Sequence, residues 1–302
     1  MTTKVGVIGL GAMGGGMARS LRRAGHPVHV FDVRAEAAQA FAKEGGVACA
    51  SLAELAAQCE VVISVVVNAA QTDSLLFGPG GCADAMKPGS VFVMCSTVDP
   101  NWSVALEARL AEKGLLYLDA PISGGAARAA SGEMTMMTSG KPEAYAKCEP
   151  LLQAMAAKVY KLGDRAGAGS KVKIINQLLA GVHIAAAAEA MALGLREGVD
   201  AAALYEVITH SAGNSWMFEN RMAHVLAGDY TPLSAVDIFV KDLGIVLDVA
   251  RATKFPLPLS STAHQMFMQA STAGHAKEDD SAVIKIFPGI ELPPPSKETQ
   301  QK

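Results

Sequence analysis

The segment that most limits what this chain can fold into lies at its start. A short β-branched run, Val5–Ile8, leads directly into Gly9-Leu10-Gly11-Ala12-Met13-Gly14 and then into a helical pattern over residues 13–24. In such a strand–turn–helix unit the first glycine makes the tight turn. The second lets a pyrophosphate approach the backbone, and the third lets the helix pack on the strand. The helix N-terminus offers unpaired amides and the positive end of a dipole to the phosphates. A second strand pattern ends at Asp32, 18 residues after Gly14, where a carboxylate can accept both hydroxyls of an adenosine ribose. Asp32 favours NAD over NADP, because a 2′-phosphate would meet a like charge. Arg34 tempers that preference, since an arginine there can hold the phosphate. The plain alternative is a structural turn followed by a surface aspartate.

The pattern repeats. Strand-like runs at 28–31, 61–67, 91–94, 115–118 and 134–138 are interleaved with helical stretches at 36–43, 52–58 and 102–113. VVISVVV reads as a strand buried on both faces, as parallel sheets require. Alternation of this kind predicts an α/β, doubly wound sheet over residues 1–164. After the glycine-rich GDRAGAG the character changes. A helical pattern runs on for more than 25 residues without proline, and further helices are expected at 201–210, 215–227, 236–253 and 260–273. This predicts an all-helical domain over 165–287, entered through one long helix. From Pro288 to the end, proline and polar residues predict an unpacked tail.

Half of the 302 residues are apolar and the net charge is -3. The first excludes disorder across most of the chain, and the second leaves no basic field for nucleic acid or an anionic membrane. Five cysteines without a CxxC pair read as reduced thiols of a cytoplasmic protein, not as a disulfide framework or metal site. No signal peptide and no membrane span are expected, for want of an uninterrupted apolar run of about 18 residues. The long apolar helix and alanine-rich faces predict a homo-oligomer, with dimer and tetramer equally open.

Ligands of open α/β sheets lie beyond the carboxyl ends of the strands. Val67-Asn68 and Ser96-Thr97 stand at two such ends, where their short polar side chains could meet a cofactor or simply cap helices. Ser123-Gly124-Gly125, after Asp119, presents a hydroxyl and unhindered amides that suit a carboxylate ligand, or else a sharp turn. Lys173 and Asn176 share one face near the start of the long helix. A partly desolvated lysine beside a nicotinamide could take the proton of an alcohol as hydride leaves carbon, and Asn176 could both donate to and accept from the substrate. A surface lysine lying along its helix is the competing description.

These motifs together identify the chain as resembling the β-hydroxyacid dehydrogenases. GLGAMG at 9–14, DAPISGG at 119–125, GAGSKVKIINQ at 167–177 and KDL at 241–243 stand in that family's order and spacing over nearly the whole chain. The resemblance implies Lys173 as catalytic acid/base and Ser123, Gly124 and Asn176 as substrate-binding positions. It implies Thr97 and Lys241 at the cofactor, with Asn68 after the fourth strand. A closer likeness, through VVVNAAQ at 65–71, GNSWMFENR at 213–221 and DYTPLSAVDIFVKDLG at 229–244, is to members that oxidise the C2 hydroxyl of L-threonate, a four-carbon sugar acid, with NAD. Other small hydroxy acids, such as 3-hydroxyisobutyrate or tartronate semialdehyde, are the alternative substrates, and a non-catalytic dinucleotide sensor the remote one. Ser234 stands where relatives carry phenylalanine. The smaller hydroxyl is expected to admit and bond extra substrate hydroxyls.

Overall fold

The computed structural model describes residues 2–295. Two compact units, Met1–Lys173 and Ile174–Lys302, divide the chain within one long helix. The first unit contains β1 (Val5–Ile8), α1 (Ala12–Arg23), β2 (Val28–Phe31), α2 (Ala35–Lys43), β3 (Val47–Ala48), α3 (Leu52–Gln58), β4 (Val61–Ser64) and α4 (Ala69–Phe77). It continues through β5 (Val91–Met94), α5 (Pro100–Ala111), β6 (Leu116–Asp119), β7 (Ile122–Ser123), α6 (Gly125–Ser131), β8 (Met134–Gly140), α7 (Pro142–Met155) and β9 (Ala156–Lys161). The strand order β3-β2-β1-β4-β5-β6-β8-β7, with β9 beside β8, is parallel from β3 to β6. β8 turns antiparallel against β6.

Every residue of β1, β4 and β5 is buried. The reason is two-sided packing: Val61 and Ile63 join one core with Met17, Leu21 and Leu151, whereas Val62 joins the other with Leu55, Leu75 and Leu106. This is the doubly wound arrangement expected from the alternating runs. One run is shorter than its composition predicts. The strand expected over 61–67 ends at Ser64, and Val67 is exposed, because the chain has passed the end of β1 and turns into α4.

The second unit is helical. The long helix α8 (Ala168–Arg196) leads into α9 (Ala201–Thr209), α10 (Trp216–Ala227), α11 (Val236–Ala252) and α12 (Pro258–Ala270), followed by a 3₁₀ turn at Asp280–Ile286. Its core gathers Ile184, Ala188 and Met191 of α8 around Phe218, Phe239 and Phe267, the last two stacked at 5.1 Å. By length and composition α8 is apolar enough to cross a membrane, and 44% of that stretch is buried inside the protein. Its glycines and alanines dilute the apolar run without interrupting the helix, and part of its length is core. The tail expected to be unpacked is in part held. Ile290 and Leu292 lie against the helical core, and Arg196 Nη1 donates to the carbonyls of Pro288 and Gly289. Residues 296–302 lie outside the described residues.

Candidate active site

The turn after β1 takes the form that its glycines allow. Gly9 has φ +91°, and a Cβ there would lie 2.9 Å from the Val65 carbonyl. A Cβ on Gly14 would collide with the carbonyl of Gly9, so helix and turn are in backbone contact. A Cβ on Gly11 would meet nothing within 4 Å, and Gly11 caps α1 without any side chain on the first amides. An anion can therefore approach the first turn formed by Ala12 and Met13. Asp32 Oδ2 accepts from the Leu10 amide at 2.7 Å, and Oδ1 accepts from the Arg34 amide at 2.9 Å. Burial works against the charge on Asp32, but these amides and the Arg34 guanidinium outweigh it and hold the carboxyl below its ordinary range. Beside this turn, Gly11, Gly15, Arg19, Arg34 and Phe41 border a cavity of about 430 Å³. The cradle fits a dinucleotide's diphosphate.

Asn68 caps α4, its Oδ1 accepting from Gln71 N at 2.8 Å while Gln71 reaches back to Val67 N at 2.8 Å. Capping thus engages one end of this amide. Ser96 Oγ ties the end of β5 to Val66 O at 2.6 Å, and Thr97 follows, half-buried, in the loop beyond. Ser123 ends β7. Gly124 and Gly125 then have φ of +136° and +76°, two successive left-handed conformations that only glycine adopts at little cost. A Cβ on Gly125 would meet nothing within 4 Å, whereas one on Gly124 would press on the Arg128 side chain.

Lys173 decides the question left open by its helical position. It is 7% exposed and, among the described residues, the only buried lysine. Lys171 and Val172 beside it are exposed. The start of α8 is fixed by Asp119, a fully buried carboxylate at the end of β6. Asp119 accepts from Gly167 N (2.9 Å), Ser170 N (2.9 Å), Ser170 Oγ (2.7 Å) and Ser139 Oγ (3.1 Å). Sequence reasoning passed over Ser139 and Ser170. Nothing in their local pattern marks them, since they meet Asp119 only across 20 and 51 residues.

Asn176 and Lys241 belong to the second unit. Asn176 Nδ2 donates to Gln177 Oε1 at 3.0 Å, Gln177 Nε2 to Asp242 Oδ2 at 2.6 Å, and Lys241 Nζ pairs with Asp242 at 2.7 Å. This chain joins α8 to α11, and its Gln177 and Asp242 were also missed. Ser234 is half-buried and bonded within its own unit. Its hydroxyl bonds the buried Asp280 and its carbonyl accepts from Asp280 N at 2.7 Å, so it serves a cluster of buried charges inside the helical unit. Among the described residues no group of three or more His, Cys, Asp or Glu could hold a metal ion.

A parallel sheet with a glycine cradle at its switch point and a buried lysine at a helix start defines a nicotinamide-dependent dehydrogenase. Residues 4–163 match the NAD binding domain of 6-phosphogluconate dehydrogenase, and residues 167–287 match the NAD-binding domain of NADP-dependent 3-hydroxyisobutyrate dehydrogenase. An L-threonate dehydrogenase of Cupriavidus necator is 71% identical over 293 residues, covering 97% of this chain and 99% of that protein. The mitochondrial 3-hydroxyisobutyrate dehydrogenase of Mus musculus is 33% identical, over 94% of this chain and 87% of its own. The crystal structure of a 3-hydroxyisobutyrate dehydrogenase from Salmonella typhimurium has a TM-score of 0.90 and 55% identity, over 94% of this chain and all of that one. The chain belongs to the β-hydroxyacid dehydrogenase family.

Proposed function

We propose that this chain oxidises the C2 hydroxyl of L-threonate to 2-oxo-tetronate with NAD, using Lys173 as the acid/base. The observation that carries the chemistry is the burial of Lys173 on the first turns of α8. The substrate follows from the 71% identity with an L-threonate dehydrogenase. NAD held in the glycine cradle would supply the hydride acceptor for C2. Lys173 Nζ takes the hydroxyl proton in oxidation and returns it in reduction. The Ser123-Gly124-Gly125 turn holds the substrate carboxylate with a hydroxyl and amides, and Asn176 holds a substrate hydroxyl.

Gly9 to Gly14, through Leu10, Gly11, Ala12 and Met13, seat the diphosphate. Asp32 favours the unphosphorylated ribose, and Val67, Asn68, Thr97 and Lys241 contact the remainder of the cofactor. The enzyme works in the cytoplasm as a homodimer or homotetramer. The exposed Ile175, Leu179 and Leu193 along α8, and an α9 with no buried residue, support the self-association.

The test is an absorbance assay at the reduced-cofactor band, with L-threonate, D-threonate, 3-hydroxyisobutyrate and glycerate (the alcohol of tartronate semialdehyde), each with NAD and with NADP. L-threonate with NAD is expected to give the highest kcat/KM. A tenfold preference for 3-hydroxyisobutyrate would instead establish the second reading, which the Salmonella typhimurium structure favours. Lys173→Ala should keep NAD binding and lose turnover by several orders of magnitude.

A further inference from the structure

Asp119 is the only acid buried among the described residues of the first unit, and the proposed chemistry gives it nothing to do. Its position is heavily specified. Oδ2 gathers the amides of Gly167 and Ser170 and the hydroxyl of Ser139, while Oδ1 takes the hydroxyl of Ser170. Ser139 Oγ in turn accepts from Gly169 N at 2.9 Å, so β6 and β8 together satisfy the amides that open α8. A side chain at Gly169 would collide with the Met137 carbonyl, which puts β8 and the helix start in backbone contact. Lys173 lies three residues beyond Ser170, one helical turn along the same face.

A cap alone does not require a charge, since serine, threonine or asparagine serve equally well. Burial pushes the Asp119 carboxyl up, and only the hydrogen bonds of Ser170, Gly167 and Ser139 oppose it. All four donors are neutral, so the charge is solvated by the site without being cancelled. The positive end of α8 disfavours an ammonium on its first turns, and a carboxylate there offsets that field.

We propose that Asp119 is the positioning residue for Lys173: through Ser139 and Ser170 it locks the first turn of α8, and it sets a negative charge against Ser170, one helical turn before Lys173. The inference rests on Lys173 being the acid/base. The other titratable groups around Asp119 are Cys95 of β5, Tyr117 of β6 and Tyr145 of α7. Burial first, with the Asp119 charge adding to it, keeps each of them protonated.

The experiment is Asp119→Asn, which keeps the shape and can keep every partner if the Ser170 hydroxyl reverses. NAD affinity should stay within about threefold and KM for L-threonate within about threefold, while kcat falls about tenfold or more. The acid limb of the pH–rate profile for L-threonate oxidation, set by deprotonation of Lys173, should move down by about one unit, the order expected for losing a nearby charge in a protein interior. The same shift should appear for Lys173 in ε-¹³C-lysine NMR of the protein without cofactor, assigned with Lys173→Arg. A kcat within twofold of wild type with an unmoved limb overturns the proposal. Should Asp119→Asn fail to fold, Ser170→Ala retains the charge and removes one tether. It should then cost about tenfold in kcat with the limb unmoved, and wild-type kcat overturns the proposal. Turnover surviving in Lys173→Ala would instead refute the role of Lys173, whatever Asp119→Asn does.

Discussion

Asp119 in the first unit and Asp280 in the second are both fully buried carboxylates, and they are satisfied in opposite ways. Asp119 is held by two amides and two hydroxyls, all neutral. Asp280 is gripped by a guanidinium: Arg221 Nε pairs with Oδ1 and Nη2 donates to Oδ2 at 3.1 Å. Burial pushes Asp280 up, and Arg221 opposes that push by holding the charged form. Next to it, Asp279 accepts from Leu233 N at 3.0 Å and from Ser281 Oγ at 2.7 Å, so the pair pins the loop before α11 to the final turn. A charge cancelled on the spot serves architecture, because little field escapes it. A charge solvated by dipoles alone still reaches its surroundings, and Asp119 sits against Ser170 on α8, one helical turn before Lys173.

The largest effect should come from breaking the cancelled pair. Arg221→Ala leaves Asp280 buried without its cation beside Asp279, and should cost about 3–5 kcal/mol in urea unfolding. A loss under about 1 kcal/mol would show that the two charges do not depend on each other. Ser170→Ala should cost less, about 1.5–3 kcal/mol, the worth of a hydrogen bond to a charged group. Should it destabilise more than Arg221→Ala in the same melts, the contrast between the two sites is inverted.

Asp32 supplies a third case, with its side chain largely buried. Its folded value lies below the ordinary carboxyl range, so it adds stability above about pH 4 that disappears as pH falls through that folded value. Asp32→Asn should therefore flatten the acid limb of stability against pH, and an unchanged limb would mean its amide bonds contribute nothing. The smallest effect concerns buried groups with no charge at all. Burial pushes the thiols of Cys59, Cys82 and Cys148 up to about 12, and Cys49 to about 11. A thiol reagent at pH 8 should label none of the five before unfolding; one fast site would reveal local opening of the sheet unit.

What could be read from the chain followed the range of the forces involved. β1, β2 and β5 fall at the residues their patterns indicate, because β-branched runs bounded by glycine or a polar residue are local signals. α7 was not legible. Pro150 sits inside it, and its six buried residues make sense only against the sheet. β9 is mostly exposed and exists by pairing with β8, so no apolar run announces it. The site divides in the same way. The glycine cradle, Ser123-Gly124-Gly125 and the shared face of Lys173 and Asn176 are short-range, whereas the contacts of Asp119 and Asp242 span 51 and 65 residues.

By itself, then, the sequence determined the dinucleotide cradle and the order of the two units, because backbone sterics and helical spacing act within a few residues. Only the tertiary structure decided that Lys173 is buried while Lys171 is not, and that Ser234 bonds a carboxylate in its own unit. It also showed that an aspartate three strands from the cradle opens α8, the helix that carries Lys173. Burial and the solvation of a charge depend on which distant groups the fold brings near, and no local pattern encodes them.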